Sequence, residues 1–530
     1  MARRRPAITA RYTILLALAR IVWLMVFLCA VFAGFVLLAP AGAPARSAPA
    51  EAQAPTSPAA PVDLDPQVAS FYRDRGFRPL WATSGGLRPE AARLLAMLGA
   101  SASAELRHAV AAADGGDPHS LTRADLLLSQ AYADYARAHL APPAASAMRY
   151  IDPGLAPAAP SARAALDAAA GSSSLDDHLA AVEQINPVFE GLRRGLAAYR
   201  GRWSALPQVA LPAHPSPDLV RRRLGLGPAD DLPAKLRDFQ HVHGLAQTGI
   251  ADPATVAALN RGARHYEQLI LANIERARAI PPRPDGRYLL VDTASARLWM
   301  IEGGRIRGAM RVVVGKRAMP TPLMAGLIRY AALNPYWNLP PDLIRKRAGN
   351  AARRGAGVIA GERLQVLSDW TPQARPLAPA RVDWRAVAAG RRFVNLRQLP
   401  GPTNMMGRIK FMMPNDLGVY LHDTPLRDLL RRADRHESSG CVRLEDAPRL
   451  ARWLFDGRAP QPSGAPEERA DLPAPVPVYL AYFTVLPSPD GLVFQSDVYG
   501  RDRAAAPRAA ARRGAPPRSM PRRNRITPAK

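Results

Sequence analysis

Two residues with nucleophile and base chemistry stand out. Cys441 lies in "SSGCVRLEDAPRLARWL", and the only other cysteine of the 530 residues is Cys29, far away in a hydrophobic run. A free thiol is only a few per cent ionised at neutral pH, so a nucleophilic cysteine needs a base or a positive field beside it. Gly440 before it and the apolar spacing of Leu450, Leu454 and Phe455 after it predict a helix mouth at Cys441. There the peptide dipole and free N–H groups would support a thiolate and an oxyanion. His422, in "YLHDTP", ends a predicted strand nineteen residues earlier, and a loop returning to the helix mouth would bring it within reach as general base. His436 competes for that role, being five residues from Cys441 in a charged loop. The alternative for a lone cysteine is a small buried hydrophobe.

Elements that would position these residues follow from hydrophobic periodicity. "RYLLVDTASARLWMIEGGRIRGAMRVVVG" alternates as three strands, 288–291, 297–301 and 305–314, with turns at Ala294-Ser295 and Gly303-Gly304. Further strands are expected at 419–422, 476–485 and 492–498. Together they predict a mainly antiparallel β domain over 285–486 with a final strand within 487–500. Between about 340 and 395 the alternation fades into Arg- and Gly-rich sequence, "IRKRAGNAARRGAGVIAGER", which predicts an inserted lid over a site.

Upstream, Leu94, Leu95 and Leu98, then Leu126, Leu127, Ala131, Tyr132 and Tyr135, recur at helical spacing and predict a helical scaffold domain over 64–210. It offers no nucleophile, metal or phosphate chemistry. Residues 211–262 read as three short helices, with Gly244 and Gly249 in turns and Asp252-Pro253 opening the third. A connecting helix and a Pro-rich step fill 263–284. His241 and His243 point about 200° apart on a helix, so they predict no metal site.

The ends set the compartment. Arg3, Arg4, Arg5, Arg11 and Arg20 precede a charge-free run of nineteen residues, 21–39, long enough to span a bilayer as a helix. The positive-inside rule then sends the rest of the chain across the membrane. Small residues such as Ala39, Ala41 and Gly42 follow the run, so an inner-membrane anchor (1–40) and a cleaved signal both stand. An Ala/Pro linker, 41–63, leads to the folded part. The formal net charge is +27 and favours polyanionic partners. Residues 501–530, a disordered tail, carry ten basic residues against Asp502, and no nucleic-acid-binding pattern appears, so no nucleic acid is expected.

The ordered motifs "NPYWNLP" (334–340), "GRIKFMMPN" (407–415), "YLHDTP" (420–425) and "RHESSGCVRLED" (435–446) resemble the YkuD-type L,D-transpeptidases, in particular their large Gram-negative, YcbB-like branch. "FYRDRGFRPLWATSGGL" extends the likeness upstream, and "FQHVHGLAQTGIADPAT" resembles the peptidoglycan-binding type 1 module. The resemblance implies a multidomain α+β chain: N-terminal membrane helix, helical scaffold, three-helix wall-binding module and β catalytic domain with a lid. It implies a periplasmic enzyme that joins peptidoglycan stem peptides through a cysteine thioester, without metal or diffusible cofactor. By position, the nucleophile falls on Cys441, the base on His422, the orienting carbonyl on Asp423 and oxyanion amides on Gly440 and Cys441. Tyr420, Ser439, Arg443, Trp337 and Asn338 fall on substrate-binding positions. Arg443 would hold a donor carboxylate or else pair with Glu445. Many members carry His where this chain has Ser439. The resemblance also implies that carbapenem-type β-lactams acylate Cys441. A non-catalytic wall-binding scaffold and a wall-peptide cysteine hydrolase are the alternatives.

Overall fold

In a computed structural model of the protein, residues 63–143, 147–282, 286–371, 373–489 and 491–502 are described. The expected membrane helix, almost all of the Ala/Pro linker and the tail from 503 lie outside them. Among the described residues, no helix is long and apolar enough to cross a membrane.

The helical domain begins with α1 (Pro66–Asp74), α2 (Pro89–Leu98), α3 (Ala104–Ala113), α4 (Pro118–Leu140), α5 (Ala162–Gly171) and α6 (Leu175–Glu183). Side chains of Asp65, Ser103, Asp117, Ser161 and Ser174 cap five of them by accepting first-turn N–H groups. Leu94, Leu106, Leu128, Leu166 and Leu179 close one core around Trp81 and Tyr132. This domain is not purely helical. Between α4 and α5 the short strand β1 (Arg149–Tyr150) leaves it to pair with the β domain.

The next helix, α7 (Pro187–Tyr199), belongs to a different core, shared with the three-helix module of α8 (Pro217–Arg223), α9 (Leu232–Val242) and α10 (Pro253–Ala277). Within the module, Gln240 is buried and fully used: its amide donates to Thr248 Oγ1, Ile250 O and Thr255 Oγ1, and its oxygen accepts Gly249 N–H. At Gly262, φ is +75° and α10 kinks, so the module's last helix and the connecting helix expected from 263 are its two halves.

His243 is buried beside Phe239, Tyr266 and Phe494; its Nδ1–H donates to Phe239 O and its Nε2 accepts from Tyr199 Oη. Burial pushes its pKa from the ordinary 6.5 down to about 4. The folded state therefore binds fewer protons than the unfolded chain between these values, and stability is lost as pH falls from 6.5 toward 4. The expected loss from this ring is about 2 kcal/mol by pH 5. Urea unfolding at pH 7 and pH 5 checks it: the pH dependence should be weaker in His243→Phe, and an unchanged dependence would contradict the assignment.

The β domain is a closed barrel. Its strands are β2 (Arg287–Asp292), β3 (Arg297–Glu302), β4 (Arg305–Gly315), β5 (Met324–Leu333), then, beyond the insertion, β10 (Ile409–Met412), β11 (Leu421–His422), β13 (Val442–Leu444) and β14 (Glu468–Ala481). The order β10-β11-β13-β4-β3-β2-β14-β5 returns to β10, because Ile409 pairs with Leu333. The domain is mainly antiparallel, as expected, but four pairings are parallel: β11–β13 and β14–β2 in the barrel, the outlying β1–β5, and β12 (His436–Ser438) with β4. Alternation divides the residues cleanly. Leu289, Val291, Leu298, Val312, Phe411, Leu421, Val442 and Leu444 fill the interior, while Tyr288, Leu290 and Tyr479 pack outward against α7 and α10.

Two expectations change. The final strand is a separate hairpin, β15 (Val485–Ser488) with β16 (Gly491–Phe494), packed against α7, where Pro487 and Leu492 fill the space that side chains at Gly191 and Gly195 would need. The lid is a folded subdomain with its own core. Strands β6 (Trp337–Asn338), β7 (Leu364–Leu367), β8 (Pro376–Leu377) and β9 (Asn395–Gln398) form a sheet in the order β8-β7-β9-β6. Helices α11 (Pro341–Arg354), α12 (Gly357–Gly361) and α13 (Trp384–Ala388) pack Ile344, Ala348, Ile359, Trp384 and Val387 against Val366 and Leu396.

Candidate active site

The site is built on three short strands. On β11 and β13 the parallel register is Leu421↔Val442 and His422↔Arg443, and on β10 Lys410 stands opposite His422. Leu421, Val442 and Phe411 turn into the barrel, so by alternation His422, Arg443 and Lys410 share the outer face. Tyr420 and Cys441, each one residue before a paired position, continue that face. The expected helix mouth at Cys441 is corrected by the same geometry. β13 intervenes, and α14 (Ala447–Leu454) starts six residues later with Asp446 as its own cap.

His422 is buried, and its Nδ1–H donates to Asp423 O at 2.6 Å, which leaves Nε2 as the lone-pair nitrogen. Asp423 is itself anchored: its carboxylate accepts Arg408 N–H at 2.9 Å and pairs with Arg427 at 2.6 Å. That carboxylate occupies the space a side chain at Gly407 would need, where φ is +63°. Burial, then the Arg443 charge, pushes the His422 pKa down to about 3. For Cys441, burial of the sulfur raises the thiol pKa, opposed by hydrogen bonding to Tyr420 and by the Arg443 and Lys410 charges. The resting groups are therefore a thiol and a neutral imidazole on one face of the paired strands.

Cys441 is half-buried, its Sγ 3.6 Å from Gly418 O. Gly440 has φ +115°, which favours glycine, and its N–H donates to Ser438 Oγ at 3.1 Å. Of the two amides expected for an oxyanion, the Gly440 amide is thus occupied by Ser438, whose hydroxyl in turn donates to Cys441 O. Gly440 O accepts from Thr321 Oγ1 at 2.8 Å, and Thr321 Oγ1 accepts Gly315 N–H. Because the Gly440 carbonyl and the Cys441 N–H belong to one planar peptide, Thr321 sets the direction of that N–H. The chain's last described segment braces the same loop: Tyr499 Oη donates to Gly315 O, Arg501 to Thr321 O, and Asp502 pairs with Arg276 of α10.

The remaining positions divide. Tyr420 packs against the insertion core, with Lys410 Nζ 5.8 Å from its ring centroid. Arg443 is half-buried, and Glu445, its expected alternative partner, pairs with Arg311 instead. Among the described residues Arg443 makes no ion pair. Ser439 is exposed. Trp337 is the clearest departure: it is buried in the insertion core with Arg347 over its ring, while Asn338 is exposed. His436, on β12 rather than in a loop, has both ring nitrogens against acceptors, Asp434 Oδ1 at 2.6 Å and Thr293 O at 2.9 Å. It is spent structurally.

Lys410 and Thr321 are functional candidates that sequence reading passed over. Lys410 is buried, with Nζ 2.5 Å from Glu467, whose other carboxylate oxygen accepts Tyr336 N–H. A lysine at an interior strand position was the available signal. Thr321 gave none, since its partner is 119 residues away.

Comparison with known proteins bears on this arrangement. Residues 286–468 match the YkuD family, described as the L,D-transpeptidase catalytic domain, residues 66–196 match a "Scaffold domain", and residues 229–259 match a "Putative peptidoglycan binding domain". A Haemophilus influenzae protein named "Putative L,D-transpeptidase" is 31% identical over 249 residues, 44% of this chain and 48% of its own. The chain thus spans about half the length of that relative. Among solved structures, an L,D-transpeptidase from Mycobacterium smegmatis is 14% identical, covering 37% of this chain and 58% of its own with a TM-score of 0.19. The catalytic domain of an E. faecium L,D-transpeptidase is 16% identical, covering 37% and 97% with a TM-score of 0.16.

Proposed function

With a YkuD L,D-transpeptidase catalytic domain behind a peptidoglycan-binding type 1 domain as premise, we propose that the protein forms 3-to-3 cross-links between peptidoglycan stem peptides through a thioester on Cys441. The observation that carries the reading is the β11–β13 register, which sets Cys441 on the same outer face as a fixed, neutral imidazole.

As Cys441 Sγ attacks the carbonyl of the third residue of a donor tetrapeptide, His422 Nε2 takes the thiol proton. The oxyanion is met by the Cys441 N–H. The imidazolium then returns the proton to the departing D-Ala amine, leaving a thioester. An acceptor amine, the side chain of diaminopimelate on a neighbouring stem, attacks that thioester; His422 takes the amine's proton and the thiol is regenerated. Arg443, without a carboxylate partner among the described residues, is suited to hold a donor carboxylate. This chemistry places the enzyme's work on the outer side of the cytoplasmic membrane, in keeping with the N-terminal run. Incubation of the protein with tetrapeptide muropeptides, read by mass spectrometry, tests the reading; tripeptide alone as product would favour hydrolysis.

Thr321 gives a sharper test of the oxyanion site. Thr321→Val keeps the side chain's shape but frees the Gly440–Cys441 peptide, and a misplaced amide is expected to cost about ten- to a hundredfold in kcat with little change in KM. Thr321→Ser should restore most of it.

A further inference from the structure

The insertion carries a surface that the catalytic reading leaves unused. Between residues 340 and 406 there are twelve Lys and Arg against four Asp and Glu. Exposed large apolar side chains gather on the same subdomain: Trp370 is 50% exposed, Leu377 45% and Phe393 84%. The sheet register brings them to one edge. Leu367, the end of β7, pairs with Asn395 at the start of β9 and with Pro376 at the start of β8. The chain therefore leaves β7 toward Trp370 at the edge where it enters β9 through Arg391, Arg392 and Phe393 and enters β8 through Arg375. These three arginines are exposed, and among the described residues none pairs with a carboxylate. Exposed aromatics among unpaired guanidinium groups mark an interaction surface rather than a solubilising face.

We propose that this edge docks the polymeric acceptor, a neighbouring peptidoglycan strand whose stem peptides carry carboxylates, with Arg375, Arg391 and Arg392 meeting the carboxylates and Trp370 and Phe393 lying against the sugar faces. The proposal rests on the transpeptidase reading and deepens it. Charge complementarity selects the partner, because the subdomain's excess of eight positive charges suits a carboxylate-rich polymer. Position supports it, because the insertion core packs directly on Tyr420 beside Cys441. The edge thus belongs to the same subdomain that packs on Tyr420.

The test uses the full chain and two surface variants, Trp370→Ser with Phe393→Ser, and Arg391→Glu with Arg392→Glu. Each is assayed for transfer of a labelled donor stem to insoluble sacculi and to a soluble tetrapeptide. Both variants are expected to lose about tenfold in transfer to sacculi and nothing to the soluble acceptor, and added salt should weaken wild-type transfer to sacculi. Equal losses on both acceptors, or none on either, overturn the proposal. So does unchanged transfer to sacculi accompanied by lost binding to phosphatidylglycerol vesicles, which would make the edge a membrane contact. Wild-type protein that transfers to neither acceptor would instead bring down the transpeptidase reading itself.

Discussion

Cys441→Ala is expected to abolish the proposed cross-link formation, with a loss of at least about ten-thousand-fold, while the protein stays folded. The thiol is the only one among the described residues. The fold should survive because Cys441 is half-buried and its thiol contributes only the long 3.6 Å contact to Gly418 O and the hydrogen bonding to Tyr420. Two measurements check this. Muropeptide chromatography should show no 3-to-3 product, and intact-protein mass spectrometry with a carbapenem-type β-lactam should show no adduct, against a full adduct on the unaltered chain. Cross-links at the normal level in a variant with an unchanged thermal midpoint would remove Cys441 from the mechanism.

His422→Ala should cost about a hundred- to ten-thousand-fold in kcat, the usual range for a positioned general base. His436→Ala should cost at most a few-fold. The contrast follows from the nitrogens: His422 spends Nδ1 on Asp423 O and keeps Nε2, whereas His436 has Nδ1 against Asp434 and Nε2 against Thr293 O. The His436 variant should instead lose stability, because it leaves Thr293 O without that donor at the β12 edge of the barrel. Steady-state rates alongside thermal melts separate the two. Equal kinetic losses would mean that both rings take part in proton transfer.

Much of the site was legible in residue types, because thiol and imidazole chemistry is local to Cys441 and His422 and both sit in dense motifs. Their relation was harder. Strands of two and three residues carry almost no periodicity, so β11 and β13 gave little sign that they pair, still less that they pair parallel. Val442-Arg443-Leu444 alternates over only three residues, too few to override the helical spacing of Leu450, Leu454 and Phe455 that predicted a helix mouth. Trp337 shared a motif with exposed Asn338, but a single strand cannot say which of its faces another subdomain will cover. The insertion read as a lid because two of its three helices span only five residues, the longer one is crowded with arginine, and the apolar positions of its core are scattered between residues 337 and 406. Thr321 and the Tyr499 brace depend on contacts across more than a hundred residues, which local sequence does not encode.

The closed barrel also sets the order in which this chain can fold. β14 pairs with β2 at Val478↔Leu289, across nearly two hundred residues, and with β5 on its other edge. Loop closure on that scale comes late and slowly, so the scaffold core, built from contacts within its own stretch, is free to form first while β2 to β5 wait for their last neighbour. The family match ends at residue 468, where β14 begins. A fragment trimmed to that match would leave two strand edges open and expose the barrel interior, and its fate in solution would be aggregation rather than independent catalysis.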